Sequence, residues 1–411
     1  MNIIKAQLLL FLSFMAITAF AQNYDESDVP DYELPTILDP NQTVVTWEKE
    51  RRGKFLQLFE ENVYGRTPAE RLEVEQTVRV QPFVIGNLQA IQKEIRLQFF
   101  NATRTDSMDL ELLLILPAGA KSPIFLGLNS YGNHTVHSSP TITIHDKWTK
   151  NSTEYNLFDH QATAASRGVH SNRWPIERLL SRGYGLATFY YGDVFLDRQD
   201  GAVTSIQRLF EEQTNWNAIG AWSWGLSRAM DYLVTDKQVD GSRVAVVGHS
   251  RRGKATLWAG AQDERFAAII SNESGCGGAA LSLRQYGERL SNINRSFPHW
   301  FCDTFKSYND KEDQLPVDQH QLLALIAPRL LYVASAQQDR WADPRGEYLA
   351  AKAASEAYRL YELNGLQFTT FPDANQPLHD AAIGYHLRYG KHDLSRYDWE
   401  QFMDFLAHHW K

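Results

Sequence analysis

Cysteine is scarce. Cys276 and Cys302 are the whole complement of a 411-residue chain, which excludes a disulfide-rich scaffold and a cysteine-based zinc cluster. Positive charge is also short: 41 Lys and Arg against 49 Asp and Glu give a formal net charge of −8. A chain without a basic stripe cannot neutralise a phosphate backbone, so nucleic acid is excluded as a partner, and the acidic balance mainly serves solubility. Long apolar runs are limited to one, from Leu8 to Phe20. It is shorter than the ~20 residues a membrane span needs, and an acidic tail, Gln22 to Asp28, follows it. With Lys5 before it and Ala19-Phe20-Ala21 at its end, it reads as a signal peptide, residues 1–21, and not as a membrane anchor. No cysteine stands at the cleavage point to take a lipid, so the mature chain is expected to begin near Gln22 and to be secreted or periplasmic, where the two thiols are free to pair or not. No His-Glu-x-x-His occurs. His134, His137, His145 and Asp146 match no common zinc spacing, so metal catalysis is not expected, and Gly275 to Gly278 lacks the Lys-Ser or Lys-Thr of a phosphate loop.

Aromatic residues, by contrast, are plentiful, at 12% with eleven tryptophans. Many fill a core, and some suit the flat faces of sugar rings. Repeats and low-complexity tracts are missing, so residues 22–411 read as one domain with an N-terminal arm over 22–40. A helix is expected from Thr46 to Val63, then strands at 72–80, 94–100, 109–116 and 124–128. Residues 141–175 are polar, aromatic-spotted and aperiodic, the character of a functional insertion that shapes a cleft. From Ile176 helices and strands alternate. Strands are expected at 185–190, 244–247, 266–271, 330–334 and 368–371, helices at 217–233, 253–261, 319–325 and 347–360, and a last helix from Trp399. This predicts an α/β fold, a three-layer α/β/α sandwich around a mostly parallel sheet.

The decisive segment is Arg243-Val244-Ala245-Val246-Val247-Gly248-His249-Ser250-Arg251-Arg252-Gly253-Lys254. A buried strand runs into a glycine-flanked serine and then a helix, the layout of a nucleophile elbow, whose helix start favours developing negative charge. The second glycine falls one residue later than in Gly-x-Ser-x-Gly. The competing reading is a serine that merely caps a helix. A serine nucleophile needs a histidine to take its proton and an acid to orient that histidine, in the order serine, acid, histidine. Glu273 and Asp339 each follow an expected strand, and either can serve as the acid. Among the downstream histidines, His392 in Tyr389-Gly390-Lys391-His392-Asp393 is favoured for its loop position, with His386 and His379 as alternatives and His408 and His409 as packing or surface residues.

These motifs resemble those of the glucuronoyl esterases, carbohydrate esterase family fifteen, α/β-hydrolases whose nucleophile motif is Gly-Cys-Ser-Arg-x-Gly-Lys. The likeness continues through Asn272-Glu273-Ser274-Gly275-Cys276-Gly277-Gly278, Phe297-Pro298-His299-Trp300-Phe301, Leu315-Pro316-Val317-Asp318-Gln319-His320, Asp339-Arg340-Trp341-Ala342-Asp343-Pro344 and Gly390-Lys391-His392-Asp393, from about residue 45 to 411. The resemblance implies hydrolysis of the ester between the 4-O-methyl-glucuronic acid of glucuronoxylan and a lignin alcohol, with no metal or organic cofactor. It implies Ser250 as nucleophile, His392 as base, Glu273 as acid with Asp339 as alternative or auxiliary, Arg251 at the oxyanion, and Lys254, Glu288 and Trp341 on the sugar. A xylan acetyl esterase with the same triad and a non-catalytic carbohydrate-binding protein are the competing functions. A monomer is the favoured state.

Overall fold

The computed structural model describes residues 22–119, 121–367 and 370–410; the expected signal peptide lies outside them. Nine strands among the described residues form one sheet: β1 (Glu73–Ile85), β2 (Leu88–Phe100), β3 (Ser107–Pro117), β4 (Ser122–Asn129), β5 (Gly185–Tyr190), β6 (Val239–His249), β7 (Ala268–Asn272), β8 (Leu330–Ala336) and β9 (Ile383–Arg388). Their order is β1-β2-β3-β5-β4-β6-β7-β8-β9. The first three are antiparallel neighbours, and β3 meets β5 antiparallel. From β5 to β9 every pairing is parallel.

Alternation along each strand divides the interior in two. Val244 and Val246 of β6 join one buried cluster while Ala245 and Val247 join the other; in β3, Leu112, Leu114 and Leu116 face away from Leu113 and Ile115. The first face packs on helices Ala218–Leu233, Arg251–Gln262, Gln319–Ala324 and Pro344–Leu360, and on residues 44–64, which are helical with π turns at Trp47–Arg51 and Glu60–Tyr64. The second face is covered by helices Ile176–Ser181 and Arg396–His409. The result is the α/β-hydrolase sandwich expected from the sequence. Its large aromatics are core: Trp47, Trp222, Trp258 and Trp399 are fully buried, each contributing on the order of 1.5–3 kcal/mol.

Several expectations need correction. The strand expected at 368–371 is not found among the described residues. Phe368 and Thr369 lie outside the described residues, Thr370 and Phe371 are not strand, and the sheet ends instead with β9. Cys276 and Cys302 are both buried free thiols. The arm is not simply draped over the surface, because Ile37 is buried in the first cluster and Arg51 donates to the carbonyls of Thr36 and Ile37. His134 Nε2 hydrogen bonds the Ser166 hydroxyl and His145 Nε2 the Tyr131 carbonyl. No helix among the described residues is long and apolar enough to cross a membrane.

Parallel strands share a direction, so the loops after β6, β7, β8 and β9 open at one sheet edge. Those loops carry Ser250, Glu273, Asp339 and His392, respectively.

Candidate active site

At the end of β6 the chain reverses within one residue. Ser250 has φ 60° and ψ −128° and is the N-cap of helix Arg251–Gln262. A side chain in this region costs about 1–3 kcal/mol and persists only where its surroundings enforce it. Here they do: Ser250 N–H donates to the Asn272 carbonyl at 2.9 Å, and Gly253 N–H to the Ser250 carbonyl at 2.8 Å. Both flanking glycines are needed for closeness. A β-carbon on Gly248 would lie 2.3 Å from the Arg252 carbonyl oxygen, and one on Gly253 2.9 Å from Ser274 Cβ. Tight packing, not motif convention, accounts for the second glycine at 253. The hydroxyl therefore stands at a helix start, where the first N–H groups have no intrahelical acceptor.

His392 enters from the loop after β9. Its Nδ1 lies 2.6 Å from Asp339 Oδ2 and 3.3 Å from Glu273 Oε2. Its ring packs 4.4 Å, centroid to centroid, from His249, the residue before Ser250. The imidazole is 43% exposed while the two carboxylates are 5% and 0% exposed, so the carboxylates lie beneath a ring that faces solvent. With Nδ1 engaged by the carboxylates, Nε2 is the nitrogen left to act. Burial works against a charged His392, but the hydrogen bonds and charges of Asp339 and Glu273 outweigh it and carry the pKa from 6.5 up to about 9. Burial pushes Glu273 up to about 7, against the hydrogen bond from His392 and the charge of Arg388. Both carboxylates named as candidates for the acid thus contact one imidazole, as a fork. His386, an alternative base, sits fully buried in β9 between Asp398 (2.9 Å) and the Tyr332 hydroxyl (3.1 Å), and His379 shares that hydroxyl at 3.1 Å; neither belongs to the fork.

Arg388 was not anticipated, because β9 itself was missed. From the end of β9 it donates to Glu273 Oε1 at 2.5 Å and to the carbonyls of Lys391 (2.9 Å) and Asp393 (2.7 Å), bracketing His392, while Asp398 holds it at 3.0 Å. Asp393 N–H returns to Glu273 Oε2 at 3.0 Å, and Arg173 of the insertion reaches Asp393 at 2.6 Å. The alternation Ile383, Tyr385, Leu387 before Gly390 was the available signal for this strand. Because Arg388 is 6% exposed and its partners Glu273 and Asp398 0%, Arg388→Met removes the cation shared by two buried carboxylates. We expect a loss of about 3–5 kcal/mol of stability, read as a lower denaturant midpoint.

Arg251 opens the helix. Its guanidinium pairs with Asp197 and lies over Trp300 (4.5 Å) and Phe297 (5.0 Å). Asp197 also accepts from His299 (2.9 Å) and Trp300 (2.8 Å); despite burial, His299, Arg251 and Trp300 hold its carboxyl well below the usual range. Asp197 carried no sequence signal beyond a lone carboxylate after Val194-Phe195-Leu196. The guanidinium is consequently held by charge and by two aromatic faces, with part of its donor fork at the site.

One turn further on, Lys254 is almost fully buried. Its Nζ donates to the Ser274 carbonyl and lies 5.9 Å from the Trp300 ring centroid. Burial lowers its pKa, with the Glu288 charge opposing. Burial likewise raises the Glu288 carboxyl, against the charge of Lys254 and a hydrogen bond from Trp341. The backbones of Glu288 and Trp341 are joined too, N–H to carbonyl, at 2.9 Å. Trp341 is 36% exposed. Ammonium, carboxylate and a half-open indole thus lie together beside Arg251, and in the loop after β4 the Tyr131 ring packs 5.3 Å from Tyr155 and 4.9 Å from His170 of the insertion. The roomy concavity of 550 Å³ between the β1–β2 hairpin and helix Ile176–Ser181 includes none of the candidate site residues.

Among the described residues, Glu273, Asp339 and His392 are the one trio of His, Cys, Asp or Glu side chains close enough to hold a metal ion. The same three groups make the orienting fork.

Residues 155–362 match the family described as "Glucuronyl esterase, fungi". The chain is similar to a carbohydrate esterase of an unknown prokaryotic organism, 45% identical over 401 residues, covering 94% of this chain and 92% of the relative. It is 34% identical over 160 residues to a 4-O-methyl-glucuronoyl methylesterase of Hypocrea jecorina, 37% of this chain and 35% of that one. Among solved structures, the glucuronoyl esterase from Solibacter usitatus superposes with a TM-score of 0.86 at 43% identity, over 94% of this chain and all of that one. A strained serine, a forked histidine and a likeness that runs nearly end to end coincide in one molecule, and on these grounds the chain belongs to the glucuronoyl esterase family of carboxylic ester hydrolases.

Proposed function

We propose that this chain is exported to the periplasm or the medium and hydrolyses the ester between the 4-O-methyl-glucuronic acid of glucuronoxylan and a lignin alcohol, with Ser250 as nucleophile. The carrying observation is the Asp339–His392–Glu273 fork at one sheet edge with the strained Ser250, flanked by Arg251 and the Lys254–Glu288–Trp341 group. Ser250 Oγ attacks the uronoyl carbonyl while His392 Nε2 takes its proton. The carbonyl electron pair moves onto oxygen, which meets the Arg251 guanidinium and the helix-start N–H groups; one such donor is typically worth about 10²–10³ in kcat. Collapse expels the alcohol, protonated by His392. Water then attacks the acyl-serine, gives its proton to His392, and Ser250 leaves with that proton, releasing the glucuronic acid. Lys254 and Glu288 present a donor and an acceptor to sugar hydroxyls, and Trp341 offers its face to the ring.

The reading predicts that purified protein releases acid from benzyl glucuronate much faster than acetate from acetylated xylan, and that Ser250→Ala releases neither. Serine-dependent deacetylation in preference to glucuronate cleavage would move the function to xylan acetyl ester hydrolysis on the same triad.

A further inference from the structure

The sugar-facing group is continuous with a surface built partly by the start of the described chain. Arg340 precedes Trp341, and Tyr286 lies two residues before Glu288. Gly287 between them, at φ +64°, sits so close to the next turn that a β-carbon would stand 2.5 Å from the Arg340 carbonyl oxygen and 2.6 Å from that of Trp341. The N-terminal segment is fastened on this seam: Gly287 N–H donates to the Asn23 carbonyl at 2.8 Å, the Tyr286 hydroxyl to the Tyr24 carbonyl at 3.1 Å, and buried Arg284 to Glu26 at 2.8 Å. Tyr24 and Tyr286 meet edge to face at 6.1 Å, the Arg340 guanidinium covers the Tyr24 ring at 5.1 Å, and Arg340 Nε donates to the Tyr286 hydroxyl at 3.1 Å. Trp341 and Arg340 are exposed and both tyrosines half-buried. Tyr24 also feels the charges of Asp339 and Glu288, which places it at the rim of the site.

Of these contacts only the Glu26 pairs, with buried Arg284 and with Arg345, reach beyond this rim, and neither Tyr24 nor Tyr286 belongs to the buried core clusters. Their half-exposed rings, Tyr24 backed by the Arg340 guanidinium and Tyr286 with Arg284 5.7 Å from its centroid, keep part of their apolar surface open, which matches what a neutral sugar chain requires: flat apolar C–H surfaces against rings, and hydroxyls against Arg and Tyr polar atoms. Resting on the function proposed above, we infer that Tyr24, Tyr286 and Arg340 form a binding subsite for the xylan main chain that carries the glucuronoyl ester, with the N-terminal segment as one of its walls. The uronoyl carbonyl is directed at Ser250, so the chain on the far substituents of the ring leaves past Trp341, and this platform is what it meets there.

The test uses the Ser250→Ala full-length protein and calorimetry with two uncleaved ligands, methyl glucuronate and the same methyl ester carried on a xylo-oligosaccharide. The xylo-oligosaccharide ester is expected to bind more tightly. Tyr24→Ala is expected to weaken its binding roughly fivefold to tenfold while leaving methyl glucuronate unchanged, and Glu26→Ala, which frees the segment without touching the ring, is expected to act in the same direction. In active protein with Ser250 intact, the same substitutions raise KM for the chain-bearing ester and leave kcat/KM for benzyl glucuronate alone. Equal affinity for the two ligands, or an equal loss on both after Tyr24→Ala, overturns the subsite. Binding of neither ligand would refute the function proposed above, and the subsite with it, whereas benzyl glucuronate turnover without a chain preference refutes the subsite alone.

Discussion

Ser250→Ala is expected to lower kcat for the glucuronate ester by about 10⁴–10⁶-fold, the range seen when a serine nucleophile is removed from such a unit. The protein keeps its fold: alanine retains the β-carbon that already occupies φ 60°, and the bonds that enforce the turn are backbone bonds to Asn272 and Gly253. Turnover and melting temperature measured on one preparation separate the two effects. His392→Ala is expected to cost nearly as much, and the double variant little more, because the two residues perform one step together. Residual activity within tenfold of wild type in Ser250→Ala would remove the serine mechanism altogether. Arg251→Ala answers a different question. Losing it leaves the nucleophile intact but removes a charged donor and unpairs buried Asp197, so an intermediate loss is expected, without abolition.

The parts of this site that were legible in the sequence are those where local chemistry and strand pattern coincide. Gly248 to Lys254 announces itself because a β-branched run ends in a glycine, a serine and a helix, and the packing around Gly248 and Gly253 shows why both must be glycine. Glu273 and Asp339 were findable as polar residues just past expected strands, and His392 by its position in a glycine-containing loop. Their convergence was not, since it depends on the order β6-β7-β8-β9 bringing four separate loops side by side. Arg388 and Asp197 illustrate what pattern reading cannot reach. Each is a charge at the end of an apolar stretch with nothing local to mark it, and its importance lies in partners 115 and 54 residues away in sequence, Glu273 and Arg251. Strand β9 was missed because the β-prone run Phe368-Thr369-Thr370-Phe371 outweighed the alternation at Ile383–Arg388, whose histidine and arginine point into a buried polar network that only tertiary structure supplies. The N-terminal segment read as a polar arm because its partners, Arg284, Tyr286 and Gly287, lie more than 250 residues downstream.

The forked histidine leads to the second large effect, on pH. His392 must be neutral to accept the Ser250 proton, and its pKa stands at about 9 because Asp339 and Glu273 favour the charged ring more than burial opposes it. The kcat/KM profile is therefore expected to rise with pH along a limb that extends toward 9, well above the 6.5 of an isolated imidazole. Removing either carboxylate as Asp339→Asn or Glu273→Gln removes part of that favour, so the limb shifts to lower pH. The maximal rate nevertheless falls, by about 10²–10⁴-fold for the residue that carries more of the imidazolium charge, because the ring loses orientation and stabilisation in the transition state. The stability signs run the same way. A histidine raised above 6.5 in the folded state contributes stability that is complete below that value and lost as pH climbs through about 9. Glu273, raised to about 7 by burial, binds its proton more tightly folded than unfolded, so stability also declines as pH rises from 4.5 through 7. The wild-type melting temperature is thus expected to fall between pH 5 and 9 by more than that of the double variant Asp339→Asn/Glu273→Gln, in the window where kcat/KM climbs. A wild-type acid limb at an ordinary histidine pKa, unmoved by either substitution, would show that the fork does not govern the base. Equal, small rate losses in the two single variants would show that the carboxylates share the role, whereas the shorter contact to Nδ1, 2.6 Å from Asp339 against 3.3 Å from Glu273, favours the larger loss in Asp339→Asn.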